Sequence, residues 1–289
     1  MTSNDAMHAV QAAARGWSFC ISGLLLGVML TWSSTAYGRL EPLWELGIGM
    51  GAVAIPAYRG ADGETVYLLP LPYLVYRGSF LRSDREGIRG IFYQGKRVQL
   101  NLSANAGPPV QSGQIQARKG MPNLSPSFEI GPSFQYKLIN RSSIELDLRF
   151  PIRAAFTFTM KPIGWVSTPH LNLTLPDYLG SGWMLGASLG PDFADRRYHA
   201  YFYDVAPAYI RAGRPSYSAV SGYSGSSMYL TATRRFAHYW IGAFIRYDNL
   251  AGASFVRSPL VETQQYLAVG VGLSWIFASS SHLVESGER

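Results

Sequence analysis

The plainest alternation in the chain runs from Ser143 to Phe158. Ile144, Leu146, Leu148, Phe150, Ile152, Ala154, Phe156 and Phe158 alternate with Ser143, Glu145, Asp147, Arg149, Pro151, Arg153, Ala155 and Thr157. A period of two is the mark of a strand with one greasy and one polar face. The stretch is longer than an ordinary globular strand of about five or six residues. It suits a tilted membrane strand of about 9–11 residues with its rims. Gln264 to Phe277 repeats the pattern near the end of the chain. Leu267, Val269, Val271, Leu273, Trp275 and Phe277 share one face, and Tyr266, Ala268, Gly270, Gly272, Ser274 and Ile276 share the other. The second face is small rather than polar. A soluble sandwich strand can look like this, and so can a strand with lipid on one side and a narrow barrel interior on the other.

The same reading places strands at Trp44–Ala54, Val66–Tyr76, Ile88–Tyr93, Arg97–Ala106, Phe128–Leu138, Ile163–Leu175, Trp183–Phe193, Tyr198–Val205, Ser226–Phe236 and Tyr239–Asn249. With the two above, the total is twelve. Bacterial single-chain barrels have even strand numbers. Val66–Tyr76 is the awkward member, because Pro70 and Pro72 remove ladder donors and belong at edges or bulges. Gly107–Leu124, Ala208–Ser224 and Asn249–Thr263 read as long loops. The mature chain shows no helix-period stretch and no linker, so one domain is expected.

Composition sharpens the choice. Charged residues make up 15 %, aromatics reach 13 %, and mean hydropathy is only +0.03. A helical membrane protein needs apolar stretches of about 20 residues, and only the N-terminus has one. A barrel fits, since each strand is half apolar. Trp44, Trp165, Tyr178, Trp183, Tyr239, Tyr247 and Trp275 fall near strand ends, where amphipathic rings meet the membrane interface. The net charge of +7 is scattered, with no Lys/Arg run longer than two. A nucleic-acid partner is therefore not expected; lipid head groups are.

Arg15, the apolar run Trp17–Trp32 and the small residues before Gly38 form a secretory signal peptide over residues 1–38. A single transmembrane anchor is the competing reading of that run. Cys20, the only cysteine, lies within it, so neither an internal disulfide nor a multi-cysteine metal site is expected. The barrel then spans residues 39–277, and 278–289 is a polar tail.

Candidate chemistry is sparse. Of the mature histidines, His170 falls on the polar face of its strand, but serines are so common that a Ser–His pair carries no information. No HExxH, EF-hand or phosphate-binding glycine loop occurs. Neither catalysis, nor a cofactor, nor a metal is expected. Asp192, Asp195 and Asp204 read as solvated rim charges. Glu145, Asp147, Arg149 and Arg153 differ. They share the face opposite the apolar one, and an Arg facing lipid at midplane would cost about 2–4 kcal/mol. They are expected to line the interior, either as a salt-bridged plug or as the wall of a polar pore.

The chain resembles the MipA/OmpV family of outer-membrane proteins. The resemblance rests on ARKGMP (Ala117–Pro122), GWVSTPHLNL (Gly164–Leu173), DRRYHAYFYDV (Asp195–Val205), AGRPSYSAVSGYSGS (Ala212–Ser226), RRFAHYWIGAFIRYDNLAGASFVRSPLV (Arg234–Val261) and GVGLSWIF (Gly270–Phe277). It implies an all-β, antiparallel transmembrane barrel in the bacterial outer membrane. It also implies a non-enzymatic scaffold that holds a lytic murein transglycosylase near a penicillin-binding protein. A narrow channel for small solutes is the alternative. Gly272, Trp275 and Phe277 match the barrel-insertion signal, although the chain continues beyond the final aromatic. Counting strands back from that end puts Gly107–Leu124 on the periplasmic side, opposite the other long loops. Arg118, Lys119, Gly120, Met121 and Pro122 are then the candidate partner-docking loop.

Overall fold

The computed structural model describes residues 39–78, 81–84 and 87–286; the expected signal peptide and Cys20 lie outside them. Strand β1 (Arg39–Pro42) precedes β2 (Trp44–Pro56) and β3 (Glu64–Arg77). The short β4 (Leu81–Asp84) leads to β5 (Gly87–Gln94) and β6 (Val98–Gly107). A long hairpin follows, β7 (Ser127–Arg141) and β8 (Ile144–Thr157), then β9 (Pro162–Ser167), β10 (His170–Leu175) and β11 (Trp183–Ala194). Helix α1 (Arg196–Tyr203) comes before β12 (Gly222–Arg235), β13 (Tyr239–Asn249), β14 (Gln265–Ser279) and β15 (Leu283–Ser286).

All the pairings are antiparallel, and the large sheet closes on itself. β14 pairs with β2 from Val269↔Ala54 to Ser279↔Glu45. β9 and β10 occupy one place in the wall. Between them they pair with β8 on one side and with β11 on the other. Their interruption falls at Thr168-Pro169, where proline has no amide to continue a ladder. Counting them once leaves about twelve strands. Closure suits a sheet to lipid, because it pairs strand edges that would otherwise face hydrocarbon. The side chains follow the pleat. Ile48, Met50, Leu68, Val271, Leu273, Trp275 and Phe277 lie exposed on the outer face.

Pro70 and Pro72 find their explanation here. β3 is laddered to β2 along its whole length, and the Arg77 amide also points that way, to the Leu43 carbonyl. Residues of opposite parity, the two prolines among them, turn their backbone away from β2. On that side the described ladder covers only Tyr76 and Arg77, with β4. The prolines thus sit where a donor is least needed.

One stretch read as a strand is not one. Tyr198–Val205 falls in and just after α1, whose N-cap Asp195 accepts a hydrogen bond from the Tyr198 amide at 2.8 Å. His199 and Tyr203, four apart, form its buried side. The short β4 restores the strand total, but losing a strand at 198–205 reverses the parity of everything upstream. Gly107–Leu124 therefore lies at the same end as Ala208–Ser224 and Asn249–Thr263, not opposite them. At this loop end, segments 57–63, 108–126, 195–221 and 250–264 pack into a cap with its own core, including Tyr58, Tyr203, Val205, Leu250, Phe255 and Leu260. Tyr203 and Phe255 stack at 3.7 Å between ring centroids, and Tyr58 Oη donates to the Leu260 carbonyl at 2.7 Å. The other end carries short turns. There Leu283–Ser286 does not trail as a polar tail but pairs with Arg39–Pro42 as a two-stranded sheet.

Candidate functional site

The barrel interior is arranged in layers. Beneath the cap, Arg59 Nη2 lies 2.9 Å from both Asp192 Oδ2 and Asp248 Oδ1. This is a close ionic approach without the alignment of a directed hydrogen bond. Arg246 Nη2 donates to Asp248 Oδ1 at 2.9 Å, and the Arg246 guanidinium also lies 5.0 Å from the Tyr229 ring centroid. Asp248 is 0 % exposed. Two part-buried cations are thus matched by two buried carboxylates, the arrangement that makes interior charge tolerable.

Toward the turn end, Glu45 plays the matching part. It accepts from Arg235 Nε at 3.0 Å and from Tyr73 Oη at 3.1 Å, with Arg77 Nη2 at 3.5 Å. Between the two ionic layers lies a chamber of about 390 Å³. Its lining includes Leu69, Leu71, Met184, Tyr229, Trp240 and Phe244, with no charged side chain. The small interior face of β14 makes this room. A Cβ on Gly270 would sit 2.2 Å from the Phe244 ring, and one on Gly272 would sit 2.6 Å from Leu71 Cδ1. Glycine there lets large side chains from neighbouring strands lie flat across the strand.

The expected charge face of β8 divides into two ion pairs. Arg149 Nε donates to Asp147 Oδ1 at 2.6 Å, and Asn172 Nδ2 adds a contact to Oδ2 at 3.2 Å. Arg153 turns instead to Glu129 Oε2 at 2.9 Å, and reaches Ser103 and Thr168 with its remaining nitrogens. Tyr198 of α1 donates to the other oxygen of Glu129 at 2.9 Å, tying the cap to the wall. Asp147 and Arg153 are buried; Glu145, further toward the turn end, is exposed. Sequence reading named Asp192, Asp195 and Asp204 as solvated rim charges, and the structure corrects this. Asp192 is a buried ion-pair partner, Asp195 caps α1, and Asp204 accepts from the Ala219 amide at 2.6 Å. Glu45, Arg59, Glu129, Arg235, Arg246 and Asp248 were missed as interior residues. The strand parity that selected the β8 charges picks out Glu45, Glu129, Arg246 and Asp248 too.

The candidate docking loop is built largely into the cap. Arg118 is 2 % exposed. Its Nη1 donates to the Phe202 carbonyl at 2.8 Å and its Nε to Ser112 Oγ at 3.1 Å. Burial pushes its guanidinium below the usual range. Met121 packs against the cap core. Lys119, Gly120 and Pro122 are exposed, and Gly120 turns the loop with φ +84°. At the insertion signal, Gly272 faces inward, while Trp275 and Phe277 face out with rings 5.9 Å apart.

His170 uses Nδ1 on the Thr168 carbonyl at 2.8 Å, bracing the β9–β10 break. The cap does contain a Ser–His contact, between His199 Nε2 and Ser224 Oγ at 2.6 Å. His199 Nδ1 lies 2.6 Å from the Val220 carbonyl, which can only accept, so Nε2 accepts from the serine. The ring is 1 % exposed and meets Phe255 edge-on at 4.8 Å. Burial holds its pKa below the usual histidine value. This is the packing of a core histidine. Among the described residues, no group of three or more His, Cys, Asp or Glu is placed to hold a metal ion.

A closed antiparallel barrel, greasy outside and cross-braced by ion pairs inside, defines a bacterial outer-membrane β-barrel protein. The family model described as MltA-interacting protein MipA matches residues 48–277, and the chain belongs to this family. No curated protein matches it in sequence. Among solved structures, the NanC porin aligns at 6 % identity and TM-score 0.36, covering 80 % of this chain and 98 % of that one. An outer membrane channel from Pseudomonas putida aligns at 10 % and 0.39, covering 86 % and 100 %. The outer membrane protein OprG from Pseudomonas aeruginosa aligns at 11 % and 0.23, covering 83 % and 95 %.

Proposed function

We propose that this barrel is a non-enzymatic scaffold of the cell envelope, linking a murein hydrolase, of the lytic transglycosylase type, to a penicillin-binding protein. The observation that carries the reading is the interior: two ionic layers and a packed cap lie across the barrel. Membership of a family described by interaction with a transglycosylase supplies the partner class. Long loops of bacterial barrels face outward and short turns face the periplasm, so murein enzymes would meet the turn end. The β1–β15 sheet stands there, and a two-stranded ribbon offers edges for strand addition. The exposed Lys119 and Gly120 belong to the opposite surface.

Pull-down of the two murein enzymes by the full mature protein tests this. Both should be captured, and truncation after Ser279 should release them while Lys119→Glu does not. No capture by the intact protein would sink the scaffold. The chamber favours a second reading, a narrow channel. Conductance in planar bilayers separates the two, and a scaffold should stay closed.

A further inference from the structure

Trp240 and Thr233 carry polar atoms that the fold leaves unanswered. Both line the chamber between the ionic layers. Trp240 Nε1 and Thr233 Oγ1 are buried and find no hydrogen-bond partner in the protein. Of the other interior atoms without a hydrogen bond, those of Arg59, Arg246 and Asp248 lie in an ionic layer with opposite charge beside them, which leaves Ser274 Oγ; Arg153, by contrast, reaches three side chains. A buried donor without a partner costs free energy unless something else accepts from it. The surrounding wall is mainly apolar and aromatic, with Asn172, Thr174, Ser188 and Thr231 adding uncharged polar groups, and the volume of about 390 Å³ falls within the range of small-molecule pockets.

We propose that this chamber binds a small, uncharged, mainly apolar molecule bearing one hydrogen-bond acceptor. A turn of the Trp240 ring, which lines the chamber, brings its indole N–H and the Thr233 hydroxyl, both without exposed surface in this structure, within reach of the acceptor. The apolar body lies against Leu69, Leu71, Met184 and Phe244. The lack of charge on the ligand follows from the lining. An ion placed there would lose its hydration with no opposite charge in contact, since the nearest ionic groups are already paired with one another. The proposal is independent of the scaffold reading: a filled chamber blocks conduction but leaves the turn end untouched.

The probe is prodan, an uncharged naphthyl ketone with polarity-sensitive fluorescence, added to the full mature protein in lipid nanodiscs. Saturable binding at one site per chain is expected above the partition into empty nanodiscs. Acetophenone should displace it and benzoate should not. Thr233→Val, which keeps shape and removes the hydroxyl, should weaken binding about five-fold, the size of one neutral hydrogen bond, and Trp240→Phe, which removes the N–H together with part of the ring, should weaken it at least as much. Thr231→Phe, which fills the chamber, should abolish it. The gel mobility of the unheated barrel reports whether each variant is folded. If a variant fails to fold, competition on the unaltered protein still decides. Non-saturable uptake, displacement by benzoate as readily as by acetophenone, or unchanged binding in folded Thr231→Phe would overturn the proposal.

Discussion

Asp248 sits between two guanidiniums, and Asp248→Ala is the sharpest test of the cross-braced interior. In the native layer Arg59 and Arg246 face Asp192 and Asp248, so charge balances. Removing Asp248 leaves two cations and one carboxylate in a site where that aspartate had no solvent exposure. Breaking a buried pair by deleting one partner costs about 3–5 kcal/mol, mostly as the penalty on the stranded charge. The Arg246 and Arg59 side chains keep 27 % and 24 % of their surface exposed, so solvent takes up part of that penalty and the low end of the range applies. The expected loss is therefore about 3 kcal/mol. Reversible guanidinium unfolding in lipid vesicles, followed by tryptophan fluorescence, measures it. The double variant Asp248→Ala/Arg246→Ala restores balance through the remaining Arg59–Asp192 pair. It should be less damaged than the sum of the single variants. A single-variant loss below about 1 kcal/mol, or strict additivity, would show that the layer behaves like solvated surface charge.

Arg118→Ala should loosen the cap without opening the barrel, since Arg118 holds the Phe202 and Pro122 carbonyls. Protease nicking within 108–126 should rise about ten-fold, from a loss of about 1.4 kcal/mol, while unheated gel mobility stays native. The cap should also weaken in acid. Burial depresses the pKa of His199 in the folded state. The unfolded chain therefore binds the proton first, and stability is full above about pH 6.5 and falls as pH drops toward the lower native value. Hydrogen exchange across 250–264, corrected for intrinsic rate, should rise between pH 7.5 and 5 and stay flat in His199→Gln. Gly131→Val should prevent assembly of the β7–β8 hairpin, because a Cβ at Gly131 would lie 2.0 Å from the Ile152 carbonyl oxygen. The folded fraction in a heat-mobility gel reads the outcome.

Period-two alternation was enough to place the wall, because lipid outside and a tight interior inside impose opposite demands on successive residues. It failed where those demands stop. In 198–205, outside the membrane belt, the aromatics Tyr198, Tyr201, Phe202 and Tyr203 imitate a strand. The helical signal was the Asp195 cap and the i, i+4 pair His199 and Tyr203. β4 is too short to show a period at all. The β8 charges were legible as interior, but their partners were not, since parity gives the face of a side chain and not its height in a sheared barrel. Thus Arg153 meets Glu129 of β7 rather than a charge on its own strand. Arg59 and Arg118 lie in loops, where no period exists to orient them.

The seam between β14 and β2 has a consequence for timing. Trp275 sits beside Ile48 and Leu273 beside Met50, partners from opposite extremes of the barrel's strand order. Until the last segment has left the secretion machinery, the first segment has only one of its two neighbours and the ring stays ajar. The β1–β15 ribbon ties the same two extremes together beyond the seam. A chain arrested before residue 265 would thus present an unfinished rim to whatever escorts it across the periplasm, and completion would be a single late event.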